Sequence, residues 1–353
     1  MRLLTVLGAR PQFVKAAPLS RALRGHHEEV LVHTGQHYDY LMSAVFFEEL
    51  GIASPAHHLG VGSGTHAVQT AAMLVGLEVL MTADRPDAVL VYGDTNSTLA
   101  GALTAAKLQI PVAHVEAGLR SFNRRMPEEH NRIVTDHLST WLFAPSAIGE
   151  RQLRTEGVAA GVYVVGDIML DAILQHTDRA EQVSRFPGAA GVGPGPYYLC
   201  TVHRAENTDV PERLTGILRG LSRLDKPVVF PVHPRTRKAL VDSGLQPGSN
   251  VHLIETVGYL DMLQLVRNSS AVLTDSGGVQ KEAYYLEVPC VTLRSETEWV
   301  ETVAVGWNRL VGADADAIVD AVGRLPTQRL PHPPLYGSGD TAQQIVRVFD
   351  GCR

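Results

Sequence analysis

Short, continuously apolar runs alternate with stretches of helical periodicity along the whole chain, and this alternation limits the folds open to it. In the first half the runs are residues 3–7, 30–33, 88–92, 111–115 and 162–165; in the second half they are 197–202, 227–232, 251–254, 271–274 and 289–293. A strand with one wet face alternates apolar and polar residues. A strand apolar at every position has both faces covered, as in a parallel sheet flanked by helices. The Gly- and Pro-rich stretch 187–196 separates the two sets, and a second break, 330–340, precedes a final short helix over 341–349. The pattern predicts an α/β protein of two doubly wound domains joined near 166–171. The first spans 1–166 plus 341–353, and the second spans 167–340.

With 353 residues the chain is long enough for two cores. The net charge of −6 argues against a nucleic-acid surface or a polybasic membrane surface. Cys200, Cys290 and Cys352 are too few and too scattered for a disulfide framework or a zinc site, and the first two, inside apolar runs, read as buried thiols. The chain opens directly on a strand pattern, without a signal-peptide pattern or a spanning apolar run, so a cytoplasmic protein is expected.

In parallel sheets ligands collect beyond the carboxyl ends of the strands, so the residues just after each run carry the functional reading. After 271–274 come Asp275, Ser276, Gly277 and Gly278, then helical periodicity with Glu282 about one turn in. Residues without a Cβ let backbone approach an anion at the favourable end of the helix dipole. A tight connection is the plainer use of Gly-Gly. Arg10 and Lys15 follow the first run and suit a diphosphate, although Lys15 alone reads as a solvated surface lysine. Asp94 precedes Thr95, Asn96 and Ser97, which already supply capping groups, so it is free for another role. Glu116 ends an apolar strand, where an unpaired carboxylate is costly, with Arg120 as a structural partner to consider. Glu128, in a first helical turn, reads from position as a dipole complement. His203 and His233 each close a strand and each precede an arginine (Arg204 and, two residues on, Arg235), as a phosphate-facing rim would. Neither has a second ligand at helical spacing, so no metal is expected.

Taken in order, GARPQFVKAAPL (from Gly8), TGQH (Thr34), GDTNST (Gly93), HVEAGLR (His114), PEEHNR (Pro127), VGD (Val165), HRAEN (His203), PVH (Pro231) and TDSGGVQKEA (Thr274) resemble the non-hydrolysing UDP-N-acetylglucosamine 2-epimerases nearly end to end. The resemblance implies a glycosyltransferase-B-type fold: two Rossmann-like domains, a deep interdomain cleft and a C-terminal helix returning to the first domain. It implies inversion at C2 of UDP-N-acetylglucosamine to give UDP-N-acetylmannosamine, by elimination of UDP to a 2-acetamidoglucal and re-addition, with no cofactor and as a homodimer. Asp94, Glu116 and Glu128 match the family's acidic active-site positions and His203 its histidine, without dividing acid from base. Arg10, Lys15, Ser276, Gly277, Gly278 and Glu282 match substrate contacts, His233 lies on the same rim, and Met262 stands where an aromatic near the uracil is common. On this resemblance Lys15 and Glu128 become functional.

The chain departs from the family pattern in two places: Trp299 and Ala205 stand where arginines are common. A guanidinium is not replaced by indole or methyl, so a related UDP-2,3-diacetamido uronic acid sugar is an alternative substrate. A retaining glycosyltransferase and a non-catalytic nucleotide-sugar sensor are rival functions, the sensor having no need of buried acids. Asp39 and Ala72 replace residues that some members use for activation by substrate, so that activation is expected to be weak or absent.

Overall fold

A computed structural model describes residues 1–36, 47, 50–186, 188, 191, 195–326 and 328–352. It contains two compact units, Met1–Gln175 with Tyr336–Arg353, and His176–Leu335. In the first unit the strands are β1 (Arg2–Leu7), β2 (Glu28–His33), β3 (His57–His58), β4 (Ala88–Tyr92), β5 (Val112–Val115), β6 (Trp141–Ala144) and β7 (Val162–Val164). All pair in parallel, in the order β3-β2-β1-β4-β5-β6-β7. Helices α1 (Arg10–Leu23), α2 (His66–Asp84), α3 (Asn96–Lys107), α4 (Pro127–Leu138), α5 (Ala147–Thr155) and α6 (Ile168–Val183) follow in chain order among the described residues. The passage between units lies within α6 at Gln175 rather than in the 166–171 segment, because that segment leads straight into helix with no break after it.

The second unit has strands β8 (Tyr198–Thr201), β9 (Val228–Pro231), β10 (Val251–Ile254), β11 (Ala271–Thr274), β12 (Cys290–Thr292) and β13 (Asn308–Leu310), again all parallel, in the order β10-β9-β8-β11-β12-β13. Its helices are α7 (Ala205–Thr208), α8 (Pro211–Ser222), α9 (Pro234–Ser243), α10 (Tyr259–Arg267), α11 (Gly277–Tyr285), α12 (Val300–Ala304) and α13 (Ala315–Gly323). Successive β8 residues separate to two cores. Tyr198 and Cys200 join one with Leu214, Ile217 and Phe230, while Tyr197 and Leu199 join the other with Val229, Leu265 and Val272. Apolar residues at every strand position are what two covered faces require.

In both sheets the chain leaves two neighbouring strands in opposite directions, β1 and β4 in the first unit, β8 and β11 in the second. The loops after those strands diverge and leave room at the strand ends. Strands β3, β6 and β13 were not among the apolar runs. The first is two histidines long, β6 opens immediately behind a helix, and β13 is an edge strand reading Asn-Arg-Leu.

Helix α2 is long and apolar enough to cross a bilayer by length and composition alone. It is a crossover helix whose Met73, Leu77 and Met81 lie in the first unit's core.

The last helix, α14 (Thr341–Asp350), belongs to the first unit. The buried Asp171 carboxylate accepts from its first backbone N–H groups, Thr341 at 3.2 Å and Ala342 at 2.9 Å, doing the work of an N-cap. Burial pushes this carboxyl up to about 6 despite those bonds. Phe349 is fully buried and edge-on to His27, Trp141 and Phe143. Phe349→Ala should cost about 3–5 kcal/mol, measured by denaturant unfolding; a loss below about 1 kcal/mol would show that α14 is not part of the cooperative unit.

Candidate active site

In the first unit the loops after β1, β4 and β5 converge. Gly8 lies so close to its neighbours that a Cβ would sit 2.0 Å from Ser97 Oγ and 2.2 Å from Thr34 Oγ1. Gln12, fully buried, accepts from the N–H groups of Gly8 and Ala9 and donates to Tyr92 O and Thr98 Oγ1, both at 3.0 Å. One side chain thus fastens the turn after β1 to the turn after β4. It lies within the GARPQFVKAAPL stretch, where as an uncharged residue it does not stand out as part of the site.

Lys15 is buried, contrary to the surface reading, and its Nζ lies 2.9 and 2.7 Å from the two carboxylate oxygens of Glu116. Arg120 is not the partner of Glu116; it turns to Asp136 and Glu156. Glu116 has φ +79°, in the left-handed region. Such a conformation costs a residue with a Cβ about 1–2 kcal/mol and tends to persist at functional positions. Gly93, at the tip of β4, has φ +62°, and a Cβ there would come within 3.1 Å of Lys15 Nζ.

Asp94 does not cap α3; Thr95 does, accepting from Thr98 N. The Asp94 carboxylate takes Arg132 Nη1 at 2.5 Å, and its carbonyl accepts from Asn131 Nδ2 at 2.8 Å. Arg132 also holds Glu129, at 2.7 Å. Burial works to raise the Glu129 carboxyl, but the Ser121 N–H and the Arg132 guanidinium outweigh it and hold the group below its ordinary range. Of the adjacent pair in α4, Glu129 therefore does the structural work, tying down the 121–122 loop, and Glu128 is half-buried in the first turn of the helix. Arg10 is the first residue of α1, directly after the β1 turn. Asp39, and His37 of the same segment, lie outside the described residues; Ala72 is exposed on α2.

In the second unit Ser276 caps α11, and Gly277 and Gly278 are its first two helical residues. Neither has positive φ, so their use lies in the missing side chains. A Cβ on Gly277 would have Trp299 Nε1 at 3.5 Å, Glu298 Oε2 at 3.9 Å and Arg204 Nη2 at 4.0 Å. The buried Lys281 ammonium lies 4.0 Å from the centre of the Trp299 ring, a cation–π pair. Arg204 therefore reaches the cradle, whereas Arg235 turns away to Asp209 at 2.5 Å. Asp275, fully buried, was not singled out by position, yet it organises the His203 loop. It accepts from the N–H groups of His203 and Arg204 and from Asn207 Nδ2, all near 3.0 Å, with His203 Nδ1 at 3.5 Å. His233 caps α9 through Nδ1, and its ring centre lies 5.6 Å from that of His203. Met262, in α10, packs against the core.

Glu282 lies one turn beyond Gly278, on the same side of α11. Burial pushes its carboxyl up to about 7, against the lowering influence of Lys281. A hydroxyl-rich ligand could draw it to the ionised form.

Two Rossmann-like parallel sheets, with charged groups at the switch point of one and a Ser-Gly-Gly helix start at that of the other, define the α/β class of glycosyltransferase-B type. Within that class, a family model described as UDP-N-acetylglucosamine 2-epimerase matches residues 21–350. A Methanococcus maripaludis protein named as a UDP-N-acetylglucosamine 2-epimerase homolog is 47% identical, with 99% of both chains covered. A Pseudomonas aeruginosa UDP-2,3-diacetamido-2,3-dideoxy-D-glucuronate 2-epimerase is 48% identical, again with 99% of both covered. A crystal structure of Methanocaldococcus jannaschii UDP-GlcNAc 2-epimerase in complex with UDP-GlcNAc and UDP superposes with a TM-score of 0.94 at 44% identity, covering 99% of this chain and 100% of that one. The chain belongs to the UDP-N-acetylglucosamine 2-epimerase family and is an epimerase.

The raised Glu282 carboxyl has a thermodynamic consequence. A folded value near 7 against an ordinary 4.5 means that its contribution to stability is complete below about 4.5 and is lost as pH rises through about 7. Between about pH 5.5 and about pH 8.5 the parent should lose about 2 kcal/mol relative to Glu282→Gln. Paired denaturant titrations at the two pH values read this directly, and parallel pH dependence in both proteins would exclude it.

Proposed function

We propose that the protein interconverts UDP-N-acetylglucosamine and UDP-N-acetylmannosamine through a 2-acetamidoglucal. The observation that carries this reading is the pair of cation-held carboxylates, Asp94 on Arg132 and Glu116 on Lys15, at adjoining strand ends, in a chain of this family. C2 of the sugar is not next to a carbonyl, so its proton leaves only if the diphosphate leaves with it. In the forward step a carboxylate takes the C2 proton, the C–H electrons form the C1=C2 bond, and the C1–O electrons depart on UDP. Addition of UDP back to C1, with a proton delivered to the opposite face of C2, completes the inversion.

The roles divide by chemistry. Ser276, Gly277 and Gly278 supply N–H groups to the diphosphate, with Arg204 beside them; preorganised donors of this kind are a large source of rate in anion-forming steps. Glu282 accepts from the ribose, and Met262 borders the base. Arg10 and His233 add donors to the phosphate, and His203, oriented by Asp275, serves the departing group. Asp94, Glu116 and Glu128 handle the C2 proton. Lys15 meets both oxygens of Glu116 and fixes the direction in which that carboxylate acts. Arg294, the other guanidinium near the cradle, is fully buried and bidentate to Glu298 at 3.1 Å. That cation is already used, which favours a sugar without an added carboxylate.

Incubation with UDP-N-acetylglucosamine in D₂O should place deuterium at C2 and give both epimers with little free UDP. Asp94→Asn and Glu116→Gln should each reduce turnover by about 10²–10⁴-fold while retaining UDP binding. Stoichiometric free UDP, a requirement for an acceptor, or absence of deuterium would each overturn the reading. We also place the protein in the cytoplasm as a homodimer. Helix α2 supports the second point, because Val68, Val75 and Val79 stand about two-thirds exposed on its outer side. Val75→Asp with Val79→Asp should yield a monomer by sedimentation equilibrium; an unchanged mass would move the interface elsewhere, and a monomeric parent would end the dimer assignment.

A further inference from the structure

His114, in β5, is fully buried, and the reaction scheme gives it no part. Its two ring nitrogens meet two acceptors. Nδ1 lies 2.7 Å from Asp136 Oδ1, and Nε2 lies 2.8 Å from the carbonyl oxygen of Gly93. A carbonyl oxygen has no proton to give, so Nε2 carries one. Asp136 has none to give either, because its other oxygen already accepts from Gly118 N at 3.1 Å and Arg120 Nη1 at 2.7 Å. Burial would raise the Asp136 carboxyl, yet the His114 hydrogen bond and charge, with those of Arg120, hold it below its ordinary range. A neutral imidazole carries one N–H, and this ring needs two.

The charges close into a chain. His114 and Arg120 share Asp136, and Arg120 continues to Glu156 at 2.6 Å, so two cations alternate with two carboxylates and the buried set is neutral. Its free end is the Gly93 carbonyl. Gly93 N donates to Val115 O at 3.0 Å, so residues 114 and 115 hold this one glycine from both sides of its backbone. The other side of Gly93 borders Lys15 Nζ and Glu116 Oε1, and Asp94 is the next residue.

We propose that His114 is a positioning residue that donates from both ring nitrogens, to Asp136 and to the Gly93 carbonyl, and so clamps Gly93 and thereby fixes Asp94 and the Lys15–Glu116 pair in their working geometry. A misplacement of about 1 Å at reacting groups costs about 10²-fold in rate, and while Gln12, Thr98 and Asn131 hold the carbonyls of Tyr92 and Asp94 on either side, His114 holds that of Gly93 itself. The effect on kcat rests on the epimerase reading; the charge on the ring does not.

Two measurements test it. In protein labelled with ¹⁵N-histidine, both His114 nitrogens, assigned by their loss in His114→Gln, should report protonated ring nitrogens, as two donated hydrogen bonds require. Two unlike nitrogens, the mark of a neutral tautomer, would overturn the charge assignment. Asp136→Asn keeps the shape of the contact and removes the charge. It should lower kcat about 10²-fold, leave KM and UDP affinity within about threefold, and introduce a new ionisation into the kcat–pH profile, because the ring loses the carboxylate that Nδ1 meets. A structural role alone would reduce the folded fraction without a new ionisation, and an unchanged profile would overturn the clamp. Should Asp136→Asn fail to fold, the kcat-against-KM split of His114→Gln decides the same point. If the parent places no deuterium at C2, the reaction assignment falls while the nitrogen signals still decide the ring's charge.

Discussion

Both units depend on one geometric constraint: neighbouring parallel strands from which the chain departs in opposite directions. Between β1 and β4, and between β8 and β11, no crossover covers the strand ends, so helix N-termini and loop backbones remain open there. The two sheets use this opening differently. The second unit leaves it with bare N–H groups, a serine cap and two glycines at the head of α11. The first unit fills it with ionised side chains. Two chemically different openings come from the same topology because different residues occupy the same kind of gap.

Charges placed in such a gap have to be matched, and the matches explain much of the local architecture. Lys15 meets Glu116, Arg132 meets both Asp94 and Glu129, and the His114–Asp136–Arg120–Glu156 set runs behind them. An unmatched buried carboxylate would take up a proton or pull the loop into solvent. Cation pairing lets a carboxylate stay ionised at low exposure. In the second unit Arg294 matches Glu298 in the same way, while Asp275 is satisfied by backbone and amide N–H groups instead. Glu282 is an exception, since Lys281 is the only charged neighbour among the causes of its shift and burial pushes it up to about 7.

This explains which parts were legible in the amino-acid order. Both sheets were readable because two-sided burial leaves every strand position apolar, and the readings at 88–92, 251–254 and 271–274 coincide with the strands. Asp94 stood out because three capping residues follow it. Lys15 read as solvated because its partner is 101 residues away and no periodicity records it. Arg120 beside Glu116 was a natural pairing in sequence, but the left-handed turn at Glu116 sends the two side chains to different partners. Arg235 misled in the same way: proximity to a histidine in sequence does not fix the rotamer of a long side chain whose better partner, Asp209, lies on the preceding loop. Gln12, His114 and Asp275 act through contacts to distant backbone, which residue type alone does not announce.

The strongest physical reason to assign function to the first unit's cluster is that stability does not require it. Buried ion pairs of this kind are often no better for folding than well-packed apolar residues of similar volume. Here the pair comes with a left-handed glutamate as an added cost. A chain selected for stability alone would be relieved of both by a glycine at 116 and an apolar residue at 15. Keeping them makes sense if a carboxylate must stay ionised, nearly dry and fixed in direction. Those are the conditions under which a weak base can remove a proton from a carbon that is barely acidic. The same reasoning extends to the charges behind Gly93, since a clamp that pays back nothing in folding is expected where a displacement of the turn would be felt in the chemistry.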